Sequence, residues 1–308
     1  MIDTWHSLSL LLGSPLIQRS LVAAFVVGLA APVIGTYLVQ RRLSLLGDGI
    51  GHVALTGVAM GWLVGSWTQV TPNDALAVPG AVVAAIIGAV IIEAVRARGR
   101  TSGDVALALL FYGGIAGGVV IMGVAGGTNA NLMGYLFGSI STVTTTDLVA
   151  TVAMSAVVLA VGLGLRTALF AVCQDEEFAR STGLPVRALS VLIAIVAALT
   201  VTISMRVVGL LLVSALMIVP VAIAQLVTTS FRRTMTLAMV IGVIVCVTGL
   251  TITFFHRLAP GAMIVVVAIC LYAVVAALRP LVDAPGRRIV DPHPDLEDDV
   301  RIVPSGSD

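Results

Sequence analysis

The sequence of 308 residues contains no lysine, and all 17 of its basic residues are arginine. A P-loop that binds ATP needs a lysine in the pattern Gly-Lys-Ser/Thr, because the ammonium group contacts the phosphates. The absence of lysine therefore excludes a P-loop ATPase within this chain, and hydrolysis of that type must belong to another subunit. No Ser/His/Asp arrangement, H-E-x-x-H motif or acidic dyad is present either, so we predict that the chain is not an enzyme.

Charged residues are also scarce, at 11% of the chain, whereas about a quarter is usual in soluble domains. Hydrophobic residues make up 58%, and the mean hydropathy is +1.10. Several apolar runs reach the roughly 20 residues that a helix needs to cross a bilayer. The composition therefore predicts an all-α, polytopic transmembrane helical bundle that contacts membrane lipid and no nucleic acid.

Cysteine is rare as well, with only Cys173, Cys246 and Cys270. These residues form no C-x-x-C pair, so neither a disulfide framework nor a zinc knuckle is predicted. We expect them to act as small buried hydrophobic residues.

Arginines and polar loops divide the apolar sequence into about nine predicted spans. The spans cover approximately residues 18–40, 43–65, 76–95, 104–124, 147–168, 188–204, 207–228, 234–255 and 260–279. The apolar part of residues 125–146 is too short to cross the membrane and predicts a re-entrant or interfacial helix, and residues 5–14 predict another interfacial helix. Residues 1–282 are treated as one transmembrane domain, and the polar residues 283–308 are predicted to be a disordered tail.

The distribution of arginine predicts the orientation of the chain. With nine spans and the N-terminus outside, 14 of the 17 arginines fall on the cytoplasmic side, as the positive-inside rule requires. Merging residues 188–228 into one span would move Arg232 and Arg233 to the wrong side. We therefore predict a plasma-membrane protein with an external N-terminus and a cytoplasmic C-terminus.

Asp48 and His52 are ionisable residues inside the second predicted span. They are four residues apart, so on a helix they lie on one face, and Thr56 continues that face. Ionisable residues within a span usually face a polar pathway, and aspartate and histidine are common ligands of divalent metals. Two ligands are too few for a tight site, but a second copy related by a two-fold axis would supply two more. The alternative is a structural pair, with Asp48 bonded to nearby arginines and His52 capping a helix contact.

The largest internal polar segment, CQDEEFARSTGLPVR, covers residues 173–187. Its first residues favour the start of a short amphipathic helix; they are Asp175, Glu176, Glu177 and Phe178. Gly183 and Pro185 favour its end. A phenylalanine among charged residues is typical of an anchor in a protein interface, so we predict a docking helix, with a solvated loop as the alternative.

The stretch RRLSLLGDGIGHVALTGVAMG, residues 41–61, resembles the signature of the zinc/manganese/iron ABC permeases, the membrane subunits of metal-chelate-type importers. The resemblance continues through LALLFYGGIAGGVVIM, NLMGYLFGSI, DEEFARSTGLPVR and MRVVGLLLVSALMIVPVAIAQ. These segments follow one another in the expected order and cover most of residues 18–280. The resemblance implies a permease of the type II ABC importer class in a bacterial plasma membrane.

The resemblance also implies partners and roles for particular residues. The chain would be one of two permease subunits, as a homodimer, together with cytoplasmic ATP-binding subunits and an extracytoplasmic metal-binding protein. Asp48 and His52 match the metal-coordinating positions, one pair from each permease. The coupling helix seated in the ATPase would include Asp175, Glu176, Glu177, Phe178, Arg180 and Gly183. No permanently bound cofactor is expected, and the transported ion would be Zn²⁺ first, with Mn²⁺ or Fe²⁺ accepting the same ligands.

The chain also departs from the family pattern. Gly51 stands where the family often has serine or alanine, and Leu55-Thr56-Gly57 where it often has Leu-Pro-Gly. His256-Arg257 stands where an acidic residue is common; an ordinary loop is the favoured interpretation there, and a gate or delivery contact is the alternative. A different class of function, a stand-alone secondary transporter or channel for divalent cations, would transport without any ATPase subunit.

Overall fold

The computed structural model describes residues 14–71, 74–98, 103–138, 144–205, 208–256 and 258–282, and within these ranges the regular secondary structure is α-helical. The helices are α1 (Pro15–Gln40), α2 (Leu46–Trp67), α3 (Ala77–Arg98), α4 (Gly103–Val124), α5 (Asn129–Phe137), α6 (Thr145–Gly164), α7 (Arg166–Gln174), α8 (Glu176–Ser181), α9 (Val186–Ser204), α10 (Leu210–Val227), α11 (Phe231–His256) and α12 (Pro260–Val282). The prediction of an all-helical chain is confirmed. The predictions for most of residues 5–14, for Arg257 and for residues 283–308 concern parts of the chain outside the described ranges.

Eight of these helices are long and apolar enough to cross a membrane, namely α1, α2, α3, α4, α6, α9, α11 and α12. The part of α10 from Leu212 to Val227 is a shorter apolar helix. With α10 added to these eight helices the number of spans is nine, which agrees with the prediction of about nine. The predicted division of residues 188–228 also holds, because α9 ends at Ser204 and α10 begins at Leu210.

The predicted fifth span, residues 147–168, differs from the observed helices. Helix α6 ends at Gly164, and a separate nine-residue helix, α7, begins at Arg166. Glycine is a poor helix former, and α6 ends on Gly162-Leu163-Gly164, two residues before the charged Arg166. The short apolar segment is also helical, as α5, and it packs against α10 and α12.

Glycines allow α2 and α3 to pack with their backbones in contact. A Cβ atom added to Gly57 would lie 2.3 Å from the carbonyl oxygen of Gly80, and one added to Gly61 would lie 2.1 Å from that of Leu76. Close approach at small residues is the usual basis of helix association within a membrane. This packing fixes α2, which carries Asp48 and His52, against its neighbour.

Helices α1, α2 and α9 form the centre of the bundle. Of the most apolar 18-residue window in each, 72%, 67% and 67% of the residues are buried, whereas the value for α12 is 17%. The exposed side chains of α12 include Val266, Ile269 and Val274, which suits a surface that faces lipid. Asp48 and His52 therefore lie on one of the central helices.

Candidate metal-binding stripe and docking segment

A tight turn joins α1 to α2 and places Asp48 in the first turn of α2. The backbone N–H of Leu43 donates to the carbonyl of Leu38 at 2.8 Å, and that of Leu46 donates to Leu43 at 3.0 Å. Arg42 within this turn has a φ of 57°, in the left-handed region that non-glycine residues seldom adopt. A carboxylate in the first turn of a helix is stabilised by the partial positive charge of the helix N-terminus. We call Asp48, His52 and Thr56 the polar stripe of α2.

Asp48 is half-buried and interacts with a residue of α10 rather than with arginine. The Ser214 hydroxyl donates a short hydrogen bond to Asp48 Oδ1. No salt bridge to Asp48 occurs within the described part of the chain, and the guanidinium of Arg41 instead contacts Glu93 and Glu176. The structural alternative, in which Asp48 bonds to the nearby arginines, is therefore wrong.

His52 lies one turn further along α2 and is almost fully buried, with 5% of its surface exposed. Its ring packs edge-on against Phe111 of α4, with 4.2 Å between ring centroids. Among the described residues its Nδ1 atom has no hydrogen-bond partner. Buried polar atoms nearly always have a partner, and imidazole nitrogen is the commonest protein ligand of metals. A metal ion bound here would satisfy this nitrogen.

Thr56, the third residue of the polar stripe, has a structural contact instead. Its hydroxyl donates to the carbonyl of Gly114 at 2.7 Å. Gly114 also lies against the backbone of His52, since an added Cβ would be 2.5 Å from the His52 carbonyl carbon. The stripe therefore offers two metal ligands, and its third member joins α2 to α4.

The number of ligands available in one chain is small. Within the described ranges no group of three or more His, Cys, Asp or Glu side chains is placed to hold a metal ion. A pair of ligands gives weak coordination, which suits an ion that binds and then leaves. Asp48 and His52 of one chain thus supply two of the roughly four ligands that a tight zinc site needs.

The short helix predicted in residues 173–187 is present as α8, from Glu176 to Ser181; its docking role stays a prediction. The Asp175 carboxylate caps its N-terminus, accepting from the backbone N–H groups of Glu177 at 2.9 Å and Phe178 at 3.0 Å. Gly183 follows its C-terminus with a φ of 83°. The N–H of Leu184 donates to Ala179 at 3.1 Å, and that of Gly183 to Arg180 at 3.1 Å, which is the Schellman pattern. We call residues 175–183 the docking segment.

The docking segment presents an apolar side chain among charges. Phe178 is 63% exposed, whereas Ala179 beside it is fully buried. Glu177 and Arg180 are exposed on either side of Phe178. A large exposed aromatic residue on a helix with both ends capped is a rigid anchor, the kind of residue that dominates many protein interfaces.

Beneath the docking segment lies a buried ion-pair cluster. Only 4% of the Arg41 side chain is exposed, and its Nη2 atom contacts Glu176 of α8 and lies 3.9 Å from a carboxylate oxygen of Glu93 on α3. Glu93 also accepts from Arg96 at 3.1 Å. Beside the cluster, burial raises the pKa of the Cys173 thiol to about 12, against the opposing influence of Arg41.

Comparison with known proteins identifies the chain. The model of the ABC 3 transport family matches residues 14–279. The chain belongs to the ABC 3 transport family. It is 32% identical over 234 residues to the manganese transport system membrane protein MntC of Halalkalibacterium halodurans, covering 76% of this chain and 77% of that one. It is also 32% identical over 230 residues to the chelated iron transport system membrane protein YfeD of Yersinia pestis, covering 75% and 74%.

A solved structure has the same fold. The structure of PsaBC from Streptococcus pneumoniae in complex with Fab superposes with a TM-score of 0.76 at 28% identity, covering 89% of this chain and 95% of that chain. The predicted fold, a helical bundle like that of type II ABC importer permeases, is confirmed. As a member of the ABC 3 transport family the chain is a multi-pass permease subunit and not itself an enzyme, and ATP hydrolysis belongs to a separate subunit.

The sequence predicted part of this site and missed part of it. Asp48 and His52 share a face of α2 as expected, and the predicted residues of the docking segment lie together around α8. Ser214 was missed; the only signal for it is a hydroxyl in an otherwise apolar run. Glu93 was missed as well; it contacts two arginines, Arg41 and Arg96.

The remaining predictions concern isolated residues. Cys173 and Cys246 are buried as expected, but Cys270 is exposed on α12, whose outer surface is apolar. His256 is exposed at the end of α11. Neither Cys270 nor His256 lies in a group of three or more metal-ligating side chains within the described residues.

Proposed function

We propose that this chain is the membrane permease subunit of an ATP-driven importer for divalent metal ions, and that Asp48 and His52 contact the ion on its way through the membrane. The observation that carries the proposal is the buried Nδ1 atom of His52, which has no partner among the described residues and lies one helical turn from a carboxylate. Both relatives named above transport metals, manganese in one system and chelated iron in the other.

Zinc is the first candidate for the transported ion. One imidazole and one carboxylate from each of two copies would give four ligands, the number that zinc prefers. Manganese is the second candidate, because the relative MntC belongs to a manganese transport system and Mn²⁺ accepts the same side chains. The hydroxyl of Ser214 supports either ion, since it orients the carboxylate of Asp48.

The importer we propose contains two copies of this permease, cytoplasmic ATP-binding subunits and an extracytoplasmic metal-binding protein. The N-terminus lies outside and the docking segment in the cytoplasm, as the arginine distribution predicts. Phe178 of the docking segment inserts into the ATP-binding subunit. ATP-driven closure of those subunits moves α8 and alternately opens the pathway beside α2 to the two sides of the membrane.

The test is uptake of radioactive zinc and manganese by proteoliposomes that contain the permease, its ATP-binding subunits and the metal-binding protein. We expect uptake to require ATP and to be lost in the double variant Asp48→Ala/His52→Ala. The control is Asp147→Asn, since the Asp147 carboxylate caps its own helix by accepting from Thr144. Undiminished uptake by the double variant would end the proposal for these residues.

The same assay separates this proposal from a stand-alone secondary transporter or channel. Proteoliposomes with the permease alone should show no sustained uptake, because the energy comes from ATP. Sustained uptake without the ATP-binding subunits would favour the stand-alone class. Competition between the two radioactive ions then identifies the metal, since the preferred ion blocks uptake of the other at the lower concentration.

A further inference from the structure

Arg41 lies between the two functional regions of the chain. It is the residue that ends α1, and it lies seven positions before Asp48. Its guanidinium contacts Glu176 at the start of α8. One side chain therefore joins the docking segment to the tight turn that precedes α2. Beside this contact, Gln40 donates to Gln174 at 2.7 Å.

The burial of Arg41 needs a functional explanation. Only 4% of its side chain is exposed, and 11% of that of Glu93. Charged groups lose hydration when they are buried, and an apolar cluster of the same size is often at least as stable. A buried ion pair is therefore weak evidence for added stability. Its best-attested role is to fix one arrangement of neighbouring elements or to switch between two.

The two partners of Arg41 differ in their surroundings. Glu93 is buried on α3 and has a second partner, Arg96, at 3.1 Å. The Glu176 side chain is 48% exposed and lies on a short helix that both Asp175 and Gly183 hold together. Contact of a partner protein with α8 would therefore displace Glu176 as part of a rigid unit, while Glu93 stays within the bundle on the helix packed against α2.

The turn after Arg41 can carry such a displacement to the polar stripe. Consecutive backbone hydrogen bonds hold it, from Arg42 to Val39 at 3.0 Å, from Leu46 to Leu43 at 3.0 Å and from Gly49 to Leu45 at 3.2 Å. A short segment bonded in this way moves as one piece rather than bending. A shift of Arg41 is therefore a shift of the first turn of α2, which carries Asp48.

We propose that Arg41 is a positioning residue that transmits movement of the docking segment to the polar stripe of α2 through its ion pair with Glu176. This inference rests on the proposed function, since it assumes an ATP-binding subunit that moves α8. Glu93, on the helix packed against α2, keeps a carboxylate beside the guanidinium throughout the movement. Arg41 itself contacts no metal.

The test uses the complete transporter in proteoliposomes and the near-isosteric variants Arg41→Gln and Glu176→Gln. Four quantities are measured: ATP-binding subunits retained per permease, metal bound without ATP, ATP hydrolysed and metal transported. We expect both variants to transport about tenfold less metal per ATP hydrolysed, a size typical of lost coupling between two sites. Arg41→Gln, which lies outside the docking segment, should also retain subunits and metal. The double variant should lose no more than either single variant, because all three remove the same contact.

Arg42→Gln is the matched control. Arg42 is the neighbouring arginine; it is exposed, and it makes no salt bridge within the described residues. This variant should transport the same amount of metal per ATP as the unaltered complex. Glu176→Gln keeps the test decisive if Arg41→Gln does not fold, because Glu176 lies at the surface.

Four results would count against the proposal. An unchanged ratio of metal to ATP in both variants, or loss of the ATP-binding subunits from Arg41→Gln in proportion to transport, would overturn the role of Arg41 alone. Losses that add in the double variant would do the same, because the two residues would then act separately. An unaltered complex without ATP-dependent uptake would instead overturn the proposed function, and this inference with it.

Discussion

The polar stripe of α2 and the docking segment are both short polar regions in a very apolar chain. They differ in whether their polar groups have hydrogen-bond partners. The docking segment satisfies its own backbone, since Asp175 caps one end of α8 and the turn at Gly183 closes the other. The stripe leaves the Nδ1 atom of a buried histidine without a partner among the described residues. The segment is thus complete without a ligand, whereas the stripe is not.

This difference indicates what each region binds. A helix that is capped by its own residues keeps its shape without a partner, and α8 leaves Phe178 exposed, where it could contact a protein surface. A buried imidazole beside a carboxylate has lost its water, and the ion that we propose enters from the pathway would stabilise it. The four predictions that follow test this contrast.

Replacing the histidine should have the largest effect. In His52→Ala we expect metal uptake to fall about 100-fold or more, since even residues that only support a metal ligand contribute 10- to 100-fold. Association with the ATP-binding subunits should be unchanged. Uptake in proteoliposomes and subunit stoichiometry by size-exclusion chromatography measure the two effects. The prediction is wrong if uptake and association decline together.

Replacing the exposed phenylalanine should have the reverse pattern. Phe178→Ala should weaken binding of the ATP-binding subunit by about 2 kcal/mol, as loss of an interface anchor usually does, and leave metal binding unchanged. Titration with the purified subunit gives the affinity. Phe255→Ala is the control, because Phe255 is a half-exposed phenylalanine at the far end of α11. Equal effects of the two variants would argue against a docking role for Phe178.

Removing the hydroxyl that holds Asp48 should give an intermediate effect on the stripe. Ser214→Ala deletes the hydrogen bond to Asp48 Oδ1, and we expect metal affinity to fall about tenfold. Equilibrium metal binding to the purified complex is the measurement. The control is Ser155→Ala, since the buried Ser155 hydroxyl has no partner within the described part of the chain. An affinity equal to that of the unaltered complex would show that Ser214 does not orient the carboxylate.

Straining the end of the docking segment should have the smallest effect. Gly183→Ala places a Cβ on a residue with a φ of 83°, which costs about 1–2 kcal/mol locally. We expect a several-fold loss of affinity for the ATP-binding subunit and normal metal binding. Gly164→Ala serves as the control, because an added Cβ there meets nothing within 4 Å and the φ is ordinary. The expectation fails if both glycine variants bind the subunit equally well.

Local sequence patterns predicted the elements that depend on neighbouring residues. The apolar runs located the spans, a spacing of four placed Asp48 and His52 on one face, and Asp175 with Gly183 marked the ends of α8. Each of these rests on interactions within a few residues of chain. The break at Leu165 was not foreseen, because the sequence stays apolar from Val149 to Leu165 apart from small residues, and glycines are common inside transmembrane helices.

Contacts between distant residues could not be predicted in this way. Ser214 is 166 positions from Asp48, and Glu176 is 135 positions from Arg41. Nothing in the local pattern distinguishes Ser214 from other hydroxyl residues, or Arg41 from Arg42. These partners are selected by the packing of α10 against α2 and by the ion pair that joins α8 to the end of α1.

The glycine contacts of α2 have a consequence for how the transporter opens. Gly114 brings α4 against the backbone of α2 at His52, and Gly57 lets α3 approach the backbone of α2 one turn further along. Neither contact leaves room for α2 to rotate or slide alone. Toward α10, by contrast, α2 meets side chains such as Leu210 and Ser214. In the proposed transport cycle, helices α2, α3 and α4 should therefore move as one rigid body. The interface that opens should be the one between α2 and α10.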